Sequence, residues 1–192
     1  MRGYFGIGVE GISKAMNVGS LFRTAHAFGA SFIFTVAASY SRAEGGRSDT
    51  SDAPGHVPFY SFPDVDSLIL PDGCRLVGVE LLDEAIELPS FHHPSQAVYV
   101  MGPERQSLSA ELTERCQFVV KIPTRFCVNV GIAGAIIMYD RLISLDRFRR
   151  RPESSRGRAE PLPKHVFGDP IIRGGMEKFR QPPPTAEPAD RK

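Results

Sequence analysis

The sequence predicts an α/β protein with a mostly parallel sheet, and two observations carry that prediction. Short β-branched and aromatic runs alternate along the chain with stretches of helical apolar spacing, so the order is strand, helix, strand. The strand-like runs are also apolar almost throughout, as expected when both faces of a parallel sheet are covered. In such folds ligands bind beyond the carboxyl ends of the strands, and the turns that follow strands are where a pocket is expected.

Residues 5–9 read as the first strand. They run into Gly6, Gly8 and Gly11, a spacing that formally matches a dinucleotide-binding fingerprint. The glycines fall inside the apolar run, no helix plainly opens at Gly11, and no acidic residue follows about twenty positions on, so the match is discounted. Asn17 is expected to cap a helix carrying Leu21, Phe22, Ala25 and Phe28, which Gly29 terminates. Arg23 lies six positions after Asn17 and, taken alone, reads as a surface helix arginine. Residues 31–37 form a second strand. A polar loop over residues 40–58 follows, long enough to be functional or mobile.

Residues 64–70 are expected to make a short helix and residues 75–81, RLVGVEL, the next strand. The adjacent His92 and His93 point apart and read as loop histidines, not metal ligands. The strand at 97–101 ends in Gly102-Pro103-Glu104, and Ser107 or Ser109 caps the next helix. Phe118, Val119, Val120 and Ile122 form the last strand, stopped by Pro123. From Val128, the positions Val128, Ile132, Ala135, Ile136 and Tyr139 recur at helical spacing. Gly131, Ala133, Gly134 and Ala135 leave that helix a flank almost without side chains. Interior glycines cost about 1 kcal/mol each relative to alanine, so a close contact should offset them. Tight helix packing and a ligand or subunit contact both satisfy that requirement.

With 192 residues and 42% hydrophobic content, the chain suits one domain with a sizeable core. Three cysteines, Cys74, Cys116 and Cys127, with no CxxC pair suggest neither a disulfide framework nor a zinc site and fit a reducing cytoplasm. No export signal or membrane span is expected. The net charge of +1 conceals an asymmetry. Residues 1–146 carry 11 Lys/Arg and 16 Asp/Glu, whereas residues 147–192 carry 12 and 6, together with 8 of the 16 prolines. The expected organisation is a folded domain over 1–146 and a basic, proline-rich, partly irregular extension over 147–192. Arg147, Arg149, Arg150 and Arg151 begin that extension as a basic cluster suited to a polyanion or simply to solvent.

Three blocks together resemble the SpoU/TrmH class of SPOUT RNA methyltransferases. Asn17-Val18-Gly19-Ser20-Leu21-Phe22-Arg23-Thr24-Ala25 is similar to that family's N-x-G-x-x-x-R-x-A block, and Val100-Met101-Gly102-Pro103-Glu104 to its strand followed by G-x-E. Ile122-Pro123, followed by Cys127-Val128-Asn129-Val130 and the small-residue helix, is similar to I-P…S-L-N-V. The blocks span most of residues 5–143. The resemblance implies a Rossmann-like, mostly parallel sheet with a C-terminal trefoil knot, S-adenosyl-L-methionine as cofactor, and a homodimer through the last helix of the knot. Carried over by position, Val79, Gly102, Ile122, Cys127 and Val128 would hold the cofactor, and Arg23, Asn17, Glu104 and Asn129 would form the reaction side. Arg23 stays protonated, so its implied part is to grip the substrate phosphate and orient the hydroxyl. RNA would be held by Arg23 with Arg147, Arg149, Arg150 and Arg151.

Two departures from the pattern matter. Cys127 stands where the family usually has serine, and the segment from Ile122 to it is shorter than usual, which puts any catalytic role of that serine in doubt. The small size and the G-P-E are more like the compact members that act on tRNA. The expected activity is therefore RNA 2′-O-ribose methylation in the cytoplasm, on tRNA in preference to rRNA, with no metal. A knotted RNA-binding protein without catalysis and an rRNA-directed methyltransferase are the alternatives.

Overall fold

A computed structural model describes residues 3–39, 56–103 and 106–145, all within one folded unit, Met1–Arg150. Glu104, most of the 40–58 loop, and the extension with Arg147, Arg149, Arg150 and Arg151 lie outside the described residues. The elements run β1 (Tyr4–Glu10), α1 (Ala15–Phe28), β2 (Phe32–Val36), β3 (Phe59–Phe62), β4 (Arg75–Val79) and β5 (Ile86–Glu87). They continue with β6 (Gln96–Met101), α2 (Ala110–Arg115), β7 (Phe118–Lys121) and α3 (Val130–Ser144). The strands form one seven-stranded sheet in the order β3-β2-β1-β6-β4-β7-β5, and every pairing is parallel.

Parallel pairing puts all the carboxyl ends on one edge of the sheet. The chain fills one side of β1 with β2 and β3, then returns to fill the other, so the strand order reverses between β1 and β6. A crevice opens at such a reversal.

Each face of the sheet has its own apolar layer. Phe5, Ile7, Val9, Tyr99 and Met101 meet α1 and α3 through Leu21, Phe22, Ile137 and Met138. On the other face Phe32, Phe34, Leu76, Val98 and Val100 pack with Leu68, Leu108 and Leu112. Gly6 and Gly8 belong to this second layer. A Cβ at Gly6 would fall 2.2 Å from the Phe32 ring, and one at Gly8 2.5 Å from the Phe34 carbonyl oxygen. These two glycines give the rings room, and Gly11 takes a left-handed backbone at φ 59°, so the triplet is accounted for by packing and a turn.

The close approach anticipated for the last helix is made within the chain. A Cβ at Gly131 would lie 2.9 Å from Ser20 Oγ, and one at Gly134 2.4 Å from the Leu21 side chain. The glycine flank of α3 is thus occupied by α1, which decides for helix packing and against a subunit contact at those positions. A different face of α3, with Ile132, Tyr139 and Ile143, is exposed.

Several boundaries depart from expectation for local reasons. The segment 64–70 is not helical: Asp64 Oδ1 accepts the Ser67 N–H at 2.8 Å, closing a side-chain turn that competes with helix. β3 and the two-residue β5 are the outer strands, too short or too exposed to give a periodic signal. Helix α1 opens at Ala15 with no side-chain cap, so Asn17 lies inside its first turn. Gly29 does end it, in the left-handed region at φ 72°.

His92 and His93 diverge as expected, but His93 is buried. Its Nδ1 is 2.6 Å from Tyr99 Oη and its Nε2 2.9 Å from Asp140 Oδ2. Arg141, also buried, donates to Tyr99 Oη at 3.2 Å and to the Ser95 carbonyl at 2.8 Å, and lies over the Phe5 ring. The pattern suits neutral His93 with its proton on Nε2 facing Asp140 and its Nδ1 accepting from Tyr99. Burial drives the His93 pKa below its usual value against the opposing pull of Asp140, and burial pushes Tyr99 up to about 12.

A histidine held below its unfolded pKa of about 6.5 contributes stability above that pH and loses it on acidification, because the unfolded chain binds the proton more readily. Urea unfolding at pH 7.5 and 5.5 should therefore show lower stability at 5.5. His93→Gln should flatten that difference, and an unchanged pH dependence in the variant would exclude His93 as its source.

Candidate functional site

The crevice at the carboxyl ends of β1, β6, β4 and β7 holds a pocket of about 530 Å³. Its floor comes from the strand ends: Val79 closing β4 with Glu80 and Leu81 after it, Met101 closing β6 with Gly102 after it, and Ile122 after β7. The adjoining starts of α1, with Lys14 and Asn17, and of α3, with Asn129, Val130 and Ala133, form a wall. Cys127 and Val128 reach it from the loop between β7 and α3. Thr124 folds that loop: its N–H donates to the Ile122 carbonyl at 2.7 Å and its hydroxyl to the Phe126 carbonyl at 2.9 Å.

Asn17 and Asn129 meet side by side on the pocket wall although 112 residues separate them. Asn129 Nδ2 donates to Asn17 Oδ1 at 3.0 Å, while Asn129 Oδ1 accepts the Gly131 N–H at 2.9 Å. One side chain thus caps α3 and joins it to α1. An amide has two donors and two lone pairs, so these bonds leave Asn129 one N–H and one lone pair.

Of the residues singled out from sequence, Val79, Gly102, Ile122, Cys127, Val128, Asn17 and Asn129 all line this pocket. Arg23 does not: it is exposed on α1, beyond the lining residues. Glu104 lies outside the described residues. Sequence reasoning passed over Lys14, Glu80, Ser107 and Thr124, which also line the wall. Glu80 carried a usable signal as the acidic residue closing the apolar run RLVGVEL at a strand's carboxyl end.

The shape and chemistry suit a nucleoside-sized ligand. Such sites are typically about 300–1,000 Å³, mostly apolar with a few placed polar groups. Here Val79, Leu81, Met101, Ile122, Val128 and Val130 supply the apolar surface. Gly102 leaves the floor open, since a Cβ there would stand 2.9 Å from both Glu80 Oε2 and the Leu108 nitrogen. Among the described residues no group of three or more His, Cys, Asp or Glu is placed to hold a metal. None of the described helices is long and apolar enough to cross a membrane.

Removing the Asn129 side chain takes away a helix cap and the bond to Asn17 together. Asn129→Ala should lower unfolding free energy by about 1–2 kcal/mol. Asn129→Asp should recover most of it, because a carboxylate still accepts the Gly131 N–H. Equal stability of the alanine variant and the parent in urea would show that the cap contributes nothing.

Comparison with known proteins agrees with the geometry. An AdoMet-bound rRNA methyltransferase from Sinorhizobium meliloti superposes with a TM-score of 0.67 at 21% identity, over 76% of this chain and 58% of that one. The SpoU methyltransferase AviRb from Streptomyces viridochromogenes, in complex with AdoMet, gives 0.68 at 19% identity over 78% and 60%. A structure described as giving insights into the 2-OH methylation of C/U34 on tRNA gives 0.65 at 21% identity, over 76% of this chain and 98% of that one. In sequence, the Mus musculus tRNA (guanosine(18)-2′-O)-methyltransferase TARBP1 is 25% identical over 72 residues, 36% of this chain but only 5% of the mouse protein. The chain thus spans well under two thirds of several proteins it resembles. The family model described as the SpoU rRNA Methylase family matches residues 5–139, from the first strand into the last helix, and the chain belongs to that family.

Proposed function

We propose that this chain is an S-adenosyl-L-methionine-dependent RNA 2′-O-ribose methyltransferase acting on tRNA in the cytoplasm. The observation that carries the reading is the convergence of three separated sequence blocks on one nucleoside-sized pocket. The preference for tRNA is supported by the tRNA C/U34 structure, of which this chain covers almost the full length. The trefoil knot is part of the same reading, and the return of the chain after β7 to lay α3 against α1 is compatible with it.

When bound, S-adenosyl-L-methionine supplies a sulfonium-activated methyl group for in-line attack by a ribose hydroxyl. The pocket floor around Val79, Gly102, Ile122, Cys127 and Val128 would hold its adenosine part by backbone groups and apolar contact. The remaining N–H and lone pair of Asn129, fixed by its bonds to Gly131 and Asn17, orient the hydroxyl at the wall of the pocket. Arg23, exposed on the same helix as Asn17, is set to meet an RNA phosphate outside the pocket. A guanidinium stays protonated, so the hydroxyl proton passes to the substrate's own phosphate or to solvent. Cys127, a weaker hydrogen-bond partner than serine, contributes packing. The arginines at 147, 149, 150 and 151 extend the RNA grip.

The homodimer is proposed through α3. Ile132, Tyr139 and Ile143 form a stripe 55%, 48% and 40% exposed, an apolar surface that a second copy would cover.

Calorimetric titration with S-adenosylhomocysteine, the reaction product, should give a dissociation constant in roughly the micromolar range. Absence of binding by folded protein would remove the methyltransferase reading and favour the RNA-binding alternative. Arg23→Ala should leave that affinity unchanged and lower methyl transfer to tRNA on the order of 100-fold. Undiminished turnover would show that Arg23 has no part in the reaction, and rRNA fragments methylated in preference to tRNA would reassign the substrate. In light scattering the protein should be a dimer that Ile132→Asp combined with Tyr139→Glu converts to monomer. A dimer that survives both changes uses another surface.

A further inference from the structure

The carboxylate of Glu80 is held in the pocket in an arrangement that the proposed chemistry does not use. Glu80 follows the last residue of β4, a strand flanked by β6 and β7, and among the described residues is one of two charged residues on the pocket wall, the other being Lys14. Its two oxygens are pinned separately. Oε1 accepts the Leu81 N–H at 2.9 Å, and Oε2 accepts the Leu108 N–H at 2.8 Å. Beside it Ser109 donates its N–H to Glu10 Oε2 at 2.8 Å, so two successive amides of the segment after Gly102 are gripped by carboxylates from β1 and from the end of β4.

Two consequences follow from this geometry. The carboxylate is preorganised, since its plane is fixed by donors on both sides. Each oxygen also keeps acceptor capacity, because a carboxylate offers about four lone-pair sites and two are used. What remains is a pair of acceptors at the fixed spacing of one carboxylate. The absence of a side chain at Gly102, whose Cβ would come within 2.9 Å of Oε2, keeps the approach to that oxygen open. A ligand group matching two adjacent acceptors presents two adjacent donors, as a vicinal diol does.

We propose that Glu80 is a specificity-determining residue that recognises the ribose 2′,3′-diol of the bound adenosine ligand, one hydroxyl donating to each carboxylate oxygen. This rests on the cofactor reading above and deepens it. Hydrogen bonds to an ionised acceptor are stronger than those between neutral groups, and a site built to pair a hydroxyl discriminates sharply against a ligand lacking it. The site then selects a ribonucleoside over its deoxy counterpart, which a purely apolar cradle would not do.

The test is calorimetric and needs no RNA. The parent protein and Glu80→Gln are each titrated with S-adenosylhomocysteine, its 2′,3′-dideoxy analogue, and methylthioadenosine, which keeps the diol but lacks the amino-acid portion. The parent should bind the dideoxy analogue at least 10-fold more weakly than S-adenosylhomocysteine. Glu80→Gln should lose at least 10-fold for both diol-bearing ligands and little for the dideoxy analogue. Equal losses for all three ligands would mean that Glu80 only fastens the loop through Leu108, and the proposal falls. A loss confined to S-adenosylhomocysteine and its dideoxy analogue would place the carboxylate on the ligand's ammonium group, which also overturns it. If the parent binds and Glu80→Gln binds equally well, the diol assignment alone fails, whereas no binding by the folded parent removes the cofactor reading with it.

Discussion

The contact between α1 and α3 is close because Gly131 and Gly134 carry no Cβ where Ser20 and Leu21 press against them. Helix axes separated by ordinary side chains stand about 8–10 Å apart, and methyl groups at these two positions would push α3 outward. The separation matters because Asn129 sits one residue before α3 and must reach Asn17 within hydrogen-bond distance. The pocket wall, the cap of α3 and the joining of the first and last blocks of the sequence all depend on that approach. A weakness in helix propensity is thus exchanged for a position in space.

Much of this was legible beforehand. Parallel α/β order follows from apolar runs alternating with helical periodicity, and the pocket follows from where parallel strands end. Gly29 and Ser109 mark helix boundaries as their local chemistry demands, Ser109 Oγ accepting the Leu112 N–H at 3.1 Å. Asn17 resembles a cap because it is a polar residue ahead of an apolar run, and only the fold reveals that its oxygen faces a partner 112 residues away. Glu80 has a local mark, an acidic residue at the end of an apolar run, whereas nothing local shows that Lys14, on a different element, faces the same cavity.

The buried set of His93, Tyr99 and Arg141, with Asp140 beside it, was equally hidden. A histidine in a polar connection and an arginine near a helix end both look like solvent-facing residues. Burial is decided by the elements that close over them, here Phe5, Tyr99 and the carbonyls at Pro94 and Ser95. The interactions fasten the far half of α3 to the amino end of β6, while Asn129 fastens its beginning at the opposite edge of the sheet. A helix held at both ends offers the pocket a wall that does not drift.

The strand order also bears on how the molecule comes into being. β1 is made first, yet one of its two neighbours in the finished sheet is β6, and β2, β3, β4 and β5 are all synthesised in between. Until β6 emerges, β1 presents an apolar edge with unpaired amides and carbonyls on that side, the kind of surface that invites pairing with other chains. Pairings between distant parts of a sequence are also slow to find. The pocket walls come from both extremes of this order, α1 early and α3 late. The growing chain therefore has no binding cavity until its last helix docks, and ligand can act on folding only by holding the finished arrangement.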